Sequence, residues 1–485
     1  MIGRFPILLT AALCLVAGLY GGEVPALVPY PASLKPTGGV SRAKEAVEET
    51  DGTLGPEAYR LSITADGIRI VSATPAGAFY ARKTLGQLRR PDGTYPCVEI
   101  EDAPKFAWRG AHLDESRHFF GKDVVKRMLD RMAQFKLNVF HWHLVDSHGW
   151  RIPIPGYPEL TERGAVRPIP DWDPNIRDAD VGYAYGPFAY TRDELLEIVA
   201  YAAERHIRIV PEIDFPGHSR AVILCYPSFS CLDRQVFMDK IRRAEDVDRA
   251  GALCPGNDEV IRFLENVLDE VCAIFPGEVV HIGGDECPRD NWKSCPKCQA
   301  RMKANGLKAE NELQSWMTKH FVGYLAKKGR KAIGWDEILD GGLADGALVM
   351  SWRGTEGGIA AASAGHEVVM CPHKFCYLDY RTGEPEDACP YPCFADKSLL
   401  TLEMVYSLDP LAGIPETQHR FILGTQSLNW TESTWCEKDL LYKMWPRTCA
   451  NAEIAWTGTK VRTYADFAVR LGRLTGRPQG LEKGR

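Results

Sequence analysis

Asp285 and Glu286 stand side by side at the end of a short apolar run, His281-Ile-Gly-Gly-Asp-Glu. Two such acids can divide the work at a glycosidic bond, one donating a proton to the departing oxygen and the other stabilising developing positive charge. Other chemistry-bearing residues close other short runs in the same way. Leu113 leads into Asp114, Glu115, Arg117 and His118. The run at 139–145 carries His141 and His143 and ends on Asp146, and the run at 207–213 leads through Glu212 to Asp214 and His218. Further on come Trp335-Asp336-Glu337, Trp352-Arg353, Tyr377 with Asp379, and Trp430 with Glu432. Aromatic faces pack against the apolar face of a sugar ring or against an N-acetyl methyl group. Carboxylates and Arg hydrogen-bond hydroxyls, often bidentately. Any one of these acids could belong to an ordinary ion pair, but their recurrence at eight run ends points to a polyhydroxylated ligand.

Such residues need a frame that brings the run ends together. From Trp108 onward short β runs alternate with helical stretches. Strands are expected at Arg109–Leu113, Val139–Val145, Ile207–Ile213, Val279–Ile282, Lys331–Trp335, Leu348–Ser351, Glu367–Met370 and Ile422–Ser427. Amphipathic helices are expected at Asp123–Phe135, Arg192–Arg205, Asp258–Phe275 and Glu310–Lys328. This alternation predicts an α/β fold, a (β/α)8 TIM barrel, whose active site gathers at the C-terminal ends of the strands. A doubly wound open sheet is the alternative; it would usually carry a Gly-rich phosphate turn after an early strand, and none is present. Ahead of the barrel, residues 23–106 read as a small α+β domain. It has alternating strands at Tyr59-Arg-Leu-Ser-Ile and Gly67-Ile-Arg-Ile-Val, a helix from Pro75 to Leu88, and a last strand from Cys97. Residues 107–485 are assigned to the catalytic barrel. The sequence holds no internal repeat, and the helix expected at Tyr464–Leu474 leaves no room for a further C-terminal binding module.

With 45% hydrophobic and 25% charged residues among 485, a large core is expected. A net charge of −6 without a dense Lys/Arg run argues against nucleic acid as a partner. Residues 1–22 read as a signal peptide: Arg4, an apolar run from Phe5 to Tyr20, then Gly21 and Gly22. The alternative, an N-terminal membrane anchor, has too short a run for a comfortable span. No later stretch is apolar enough to cross a bilayer, and Cys14 lacks the preceding small residue of a lipoprotein signal. Export to the periplasm or the extracellular space is therefore expected. The only N-glycosylation sequon, Asn429-Trp430-Thr431, falls among the rim residues, where a glycan would block the site. That argues for a bacterial source.

Of 15 Cys, Cys14 leaves with the leader and the other 14 are too dilute for a disulfide scaffold. Cys295-Pro-Lys-Cys298, close after Cys287, has metal-like spacing, but the sequence places no fourth ligand. A disulfide or free thiols are preferred there, with structural zinc as the alternative. His141 and His143 form a His-x-His pair on a strand, yet the intervening Trp and following Asp suit a sugar rim equally well. No catalytic metal and no cofactor are expected.

Together these motifs resemble the family-20 glycoside hydrolases, the β-N-acetylhexosaminidases. The resemblance is carried by WRGAHLDESRHF (108–119), NVFHWHLVDSHGWR (138–151), VPEIDFPGHS (210–219), HIGGDE (281–286), GWDE (334–337), SWRG (351–354), YLD (377–379) and NWTE (429–432), and extends over the small leading domain. It implies an exo-acting, retaining, substrate-assisted reaction, in which the sugar's own 2-acetamido oxygen attacks the anomeric carbon to form an oxazolinium ion. In that scheme Glu286 protonates the leaving oxygen and later activates water, while Asp285 accepts the acetamide N–H. The resemblance makes Arg117 a clamp on ring hydroxyls O3 and O4, and Tyr377 a donor to the acetamide oxygen. Trp335, Trp352 and Trp430 become walls around the acetamide and the ring, and Asp379 and Glu432 become ligands of O4 and O6. Asp146 and His218 form a pair beside Glu286; His143 and Asp214 support the site from beneath. The implied partner is a glycan with a terminal N-acetylhexosamine. One departure is Ser147, where many relatives carry a second Asp. Release of a disaccharide or a sulfated sugar is an alternative, as is an inactive sugar-binding protein. The loops Asp171–Phe188 and Arg381–Leu400 would decide the former. Trp172, Tyr183, Tyr185 and Phe188 could form a further sugar platform or be ordinary surface aromatics. An endo-chitinase of the related barrel type would need an Asp-x-x-Asp-x-Asp-x-Glu strand, which is absent. The sequence does not specify an oligomeric state.

Overall fold

The computed structural model describes residues 25–167, 185–242, 251–383, 399–459 and 461–476. The leader read at 1–22, together with Trp172 and Tyr183, lies outside the described residues. The chain divides into two compact units.

The first unit is built on a five-stranded sheet of order β1-β5-β3-β4-β2, with β1 at Ser33–Ser41, β2 at Ala46–Thr50, β3 at Tyr59–Ile63, β4 at Ile68–Ser72 and β5 at Tyr95–Asp102. β3 and β4 follow the alternation seen in the sequence: their inward residues Leu61, Ile63, Ile68 and Ile70 are buried. The helix Pro75–Leu88 begins where Thr74 accepts hydrogen bonds from the Ala76 and Gly77 N–H groups, with Pro75 preset for the first turn. It packs Tyr80, Ala81 and Leu88 into the same apolar cluster as the sheet. β1 and β2 escaped sequence reading for a physical reason. Both are mostly exposed, so neither shows an alternating apolar face, and β1 contains Pro36 and a bulge at Gly38 and Gly39, both at positive φ. Residues from 452 onward group with this unit. Trp456 packs in its apolar cluster and donates through Nε1 to Asp102 at 2.9 Å, and Arg470 pairs with Glu453 at 2.6 Å.

The second unit is a closed parallel barrel. Its strands are β6 (Trp108–Asp114), β7 (Val139–Asp146), β9 (Arg208–Ile213), β10 (Val279–His281), β11 (Lys331–Trp335), β12 (Leu348–Ser351), β13 (Val368–Met370) and β14 (Ile422–Ser427). Each pairs in parallel with the next around the ring, and β14 returns to β6. A two-residue β8 (Gly149–Trp150) pairs back on β7. All eight expected strands are present, and the open-sheet alternative falls because β6 pairs with both β7 and β14. Every residue of β6 and β7 is buried, as a parallel strand covered on both sides requires. The outer helices keep one apolar stripe. Lys122–Gln134 buries Val125, Met128, Leu129 and Met132; Asp258–Ile274 buries Val260, Phe263, Leu264, Val267 and Val271. Each fully buried Leu or Phe on such a stripe contributes about 1.5–3 kcal/mol. Caps start these helices on register: Thr191 and Glu194 form a capping box for Arg192–Ala203, and Asn257 caps Asp258–Ile274.

Candidate active site

The site starts from the backbone between β10 and its following loop. Gly283 and Gly284 both take positive φ, at 62° and 103°, and Glu286 follows at 43°. A glutamate in the left-handed region carries a steric cost that a glycine would not. This succession turns the chain so that Asp285 faces inward, with 13% of its side chain exposed, while Glu286 projects outward with 61% exposed. Gly283 is required by close approach as well. A Cβ there would sit 1.7 Å from Asp214 Oδ1, the atom to which the Gly284 N–H donates at 3.2 Å.

His218, at φ 48°, stands at the junction of the acids. Its Nε2 lies 3.5 Å from Asp285 Oδ2 and 3.7 Å from Glu286 Oε2, and its Nδ1 is 3.2 Å from Asp146 Oδ1. Burial opposes charge on this ring, but Asp146 and Asp285 outweigh it and hold its pKa well above the usual histidine value. Asp146 is buried too, yet Arg117 and His218 hold its carboxyl well below the usual carboxylate range. Behind Asp146 comes His143, whose Nε2 donates to Asp146 Oδ2 at 3.0 Å and whose Nδ1 donates to Glu212 Oε2 at 2.6 Å. Burial works against the His143 cation, but Glu212 and Asp146 raise its pKa well above normal. Glu212 in turn is kept ionised, against burial, chiefly by His281 and His143. The result is a line of alternating charge, Glu212, His143, Asp146, His218, then the Asp285–Glu286 pair. In a low-dielectric interior each member stabilises the next.

Glu212 anchors this line in the barrel core. Its Oε1 accepts from Trp335 Nε1 at 2.8 Å and lies 3.0 Å from His281 Nδ1, and His141 Nε2 is 3.0 Å from its Oε2. Burial lowers His141 to about 4, so that ring stays neutral. Sequence reading placed Glu212 and His141 on the rim but gave neither a role; three His from two strands, β7 and β10, converging on one Glu of a third is a tertiary fact. The groupings of His141, Glu212 and His281, and of His112, His143 and Glu212, are close enough to suggest metal ligation, but both Glu212 oxygens are already held by the Trp335 and His143 donors.

The rim surrounds this axis. Arg117 lies 2.8 Å from Asp146 Oδ2, 3.2 Å from Asp114 Oδ2 and 3.9 Å from Glu432 Oε1, and its guanidinium is 5.2 Å from the Trp430 ring centroid. Trp430 neighbours Trp335 at 5.8 Å and Tyr377 at 6.1 Å; Tyr377 stacks on Trp352 with centroids 5.9 Å apart and planes 16° from parallel. Trp352 and Trp430, two of the three expected wall residues, thus flank Tyr377 in one aromatic cluster. One expected wall residue lies further inward. Trp335 is 1% exposed, its indole N–H taken by Glu212, so it backs Trp430 and presents no face of its own. His143 has no exposed surface and reaches the site only through Asp146; Asp379 is likewise enclosed, whereas Glu432 keeps 19% of its side chain exposed. Asp214 lies under the glycine turn, and burial together with the charge on Asp285 raises its carboxyl well above the usual range. Tyr185 and Phe188 make a T-shaped contact with each other, and Tyr185 OH accepts from the Phe119 N–H at 3.0 Å.

Glu337 is a site member that sequence reading left without a role. Its Oε2 accepts from Trp352 Nε1 at 2.9 Å, and burial, with Asp285 nearby, pushes its pKa up to about 8. Asp214 and Glu337 therefore favour their protonated forms beside Asp285. Asp285 Oδ1 is buried with no hydrogen-bond partner among the described residues. One acid held inward with an unused acceptor, and one acid facing solvent beside an imidazolium, can bind a donor and move a proton at adjacent atoms of a ligand.

Comparison with known proteins agrees with this geometry. The description "Glycosyl hydrolase family 20, catalytic domain" matches residues 106–459, and "Glycosyl hydrolase family 20, domain 2" matches residues 28–103. A β-hexosaminidase of Porphyromonas gingivalis is 42% identical over 430 residues, covering 86% of this chain and 53% of the relative, so the chain spans about half the length of that protein. A solved β-N-acetylhexosaminidase superposes with a TM-score of 0.85 at 31% identity, over 96% of this chain and 99% of that one. The Vibrio harveyi family-20 exo-β-N-acetylglucosaminidase, solved with N-acetylglucosamine, gives 0.83 at 29% identity, over 94% of this chain and 78% of the other. The barrel, the rim motifs and the leading domain together place this chain in glycosyl hydrolase family 20.

Proposed function

We propose that the protein is an exo-acting, retaining β-N-acetylhexosaminidase that removes non-reducing terminal β-linked GlcNAc or GalNAc from glycans, with the substrate's own acetamide as nucleophile. The observation that carries this reading is the unpartnered, buried Asp285 Oδ1 beside the outward-facing Glu286. Asp285 accepts the acetamide N–H, orients its oxygen toward the anomeric carbon and stabilises the positive charge that spreads onto the nitrogen. Glu286 protonates the departing glycosidic oxygen, then takes a proton from the water that opens the oxazolinium ion. His218, held cationic by Asp146, sits against both carboxylates and favours their charged forms at the steps that need them.

The remaining side chains hold the sugar. Trp352, Tyr377 and Trp430 supply apolar faces for the ring and the acetamide methyl, and the Tyr377 hydroxyl donates to the acetamide oxygen. Arg117, Asp379 and Glu432 take ring hydroxyls. Glu286 also borders a polar depression lined by Arg289, Asp290, Lys293, Glu310 and Asn311, on the side where the leaving sugar would lie. The V. harveyi relative solved with N-acetylglucosamine supports GlcNAc as one substrate. Export through the leader at residues 1–22, to the periplasm or beyond, is part of the proposal. No helix among the described residues is long and apolar enough to cross a membrane.

The test is hydrolysis of a small panel of defined oligosaccharides with β-linked terminal GlcNAc or GalNAc, with internal GlcNAc, or with sulfated termini, identifying every product. Release of single N-acetylhexosamine units from the non-reducing end, in the β configuration at first appearance, is expected. Release of a disaccharide, or an initial α product, would overturn the reading. A thiazoline analogue of the bicyclic intermediate should also bind far more tightly than product; equal affinities would remove the acetamide from the mechanism.

A further inference from the structure

Away from the catalytic rim, four cysteines from distant parts of the sequence meet. The Sγ atoms of Cys231, Cys254, Cys295 and Cys298 all lie within 4.8 Å of one another. Cys254 Sγ is 3.5 Å from Cys298 Sγ and 3.7 Å from Cys295 Sγ, and Cys231 Sγ is 3.6 Å from Cys298 Sγ. These separations carry the argument. A disulfide requires sulfurs about 2.05 Å apart. Four thiolates at about 2.3 Å from a central ion, at tetrahedral angles, stand about 3.8 Å from each other. The separations of 3.5–3.7 Å fall close to that tetrahedral edge. From these contacts we infer that the four residues form a structural zinc site with an all-cysteine, four-sulfur ligand set.

The local fold is built to present those sulfurs. Ser230 and Leu253 form an antiparallel bridge and the Cys254 N–H donates to Phe229 O at 2.8 Å, which sets Cys231 and Cys254 side by side. Cys295 precedes the helix Pro296–Ala304, and Cys298 lies in that helix's first turn, so the Cys-x-x-Cys pair converges in one direction. The Cys254 loop meets this helix at Gly256, where an added Cβ would lie 2.2 Å from the Lys297 carbonyl carbon. Any larger residue there would push the two cysteine pairs apart. Trp292, Met302 and Leu313 close over the cluster, and Trp292 Nε1 donates to Leu253 O at 3.1 Å. Cys254, Cys295 and Cys298 are buried, and Cys231 is half-buried. A sulfur-only donor set in an apolar shell, with no open position, suits structural zinc.

This outcome differs from the sequence expectation. Cys287, read with Cys295 and Cys298, stays outside the cluster, and the two missing ligands come from 231 and 254. The ion would tie the loop after β9 to the segment that follows Glu286, clamping the outer end of the acid's own loop.

The experiment is metal analysis of the purified full-length chain, joined to cobalt substitution and non-reducing peptide mapping. About one zinc per chain is expected, surviving gel filtration. Cobalt in its place should give the intense visible bands and thiolate charge-transfer absorption of a tetrahedral sulfur site. Cys254→Ser and Cys298→Ser should lose the metal and melt lower, whereas Cys287→Ala should keep it. If the serine variants fail to fold, the cobalt spectrum and the peptide map of the unaltered chain still decide. Disulfides joining any two of the four cysteines, four free thiols without metal, or iron in place of zinc would each overturn the inference.

Discussion

Asp285 and Glu286 are bonded neighbours whose side chains face opposite environments, one 13% and the other 61% exposed. The left-handed backbone at Glu286 and the two glycines before it produce that divergence. It assigns each acid a separate readout. Glu286→Gln should lower kcat/KM by roughly 10²–10⁴-fold on substrates with a poor leaving group, and far less on a dinitrophenyl glycoside, which leaves without a proton. Asp285→Asn should lose roughly 10²–10³-fold on both if the reaction is substrate-assisted as proposed, because the acetamide's developing charge would then be unsupported whatever leaves. Equal relief of the two variants by the activated substrate would show that the roles are misassigned.

The Asp146–His218 pair predicts a pH-dependent stability. The His218 pKa is raised in the folded state, so its stabilisation is complete below the unfolded value of about 6.5 and fades as pH rises through the folded value. Asp146 is the reverse. Its depressed pKa gives stabilisation that is complete above about 3.9 and is lost as pH falls through the folded value. The pair therefore contributes most between those two limits. The Tm difference between the native protein and His218→Gln should be largest near pH 5–6.5 and shrink steadily on the alkaline side. A difference that does not vary from pH 5 to pH 10 would mean that the ring is not held as a cation.

Gly283→Ala tests the turn that aims the acids. The added methyl meets Asp214 Oδ1 at 1.7 Å and must also take φ near 62°. A destabilisation of about 1–3 kcal/mol or more is expected in urea unfolding, with kcat falling more than KM changes because the turn sets Asp285 and Glu286. Gly306→Ala is the control: its φ is 67°, but a Cβ there meets nothing within 4 Å. If both variants lose the same stability, backbone strain alone explains the effect and the Asp214 contact is unimportant.

Much of this arrangement is legible in the sequence because parallel strands buried on both sides are unbroken apolar runs. Lys331–Trp335, Leu348–Ser351 and Ile422–Ser427 appear with the bounds the runs predict. The rim residues are legible for a related reason: polar groups at the end of such a run have one place to go. What resists reading is whatever depends on convergence from separate strands. Nothing local distinguishes Glu212, the hub of three imidazoles, from any acid on a strand. Cys231 and Cys254 carry no motif, and only the folded loops bring them to Cys295 and Cys298. The exposed β1 and β2 fail for the opposite reason, since an edge strand without a buried face has no periodicity to detect.

Glu337 gives the last prediction, and its sign is distinctive. Its carboxyl is mostly enclosed, accepts the Trp352 indole N–H and lies near the charge on Asp285. Burial first, and that charge second, raise its pKa to about 8. A group raised on folding has its favourable contribution below its unfolded pKa, about 4.3, and loses it as pH climbs through the folded value. The native protein should thus incur a growing penalty from mildly acid pH to about pH 8 as a second negative charge is forced toward Asp285. Glu337→Gln keeps a carbonyl for the Trp352 N–H but cannot ionise. Relative to the native chain, its Tm should rise steadily over that range and level off above it. A Tm difference that stays constant with pH would show that Glu337 is ionised throughout, and the carboxylate cluster would then need a cation other than those found around it.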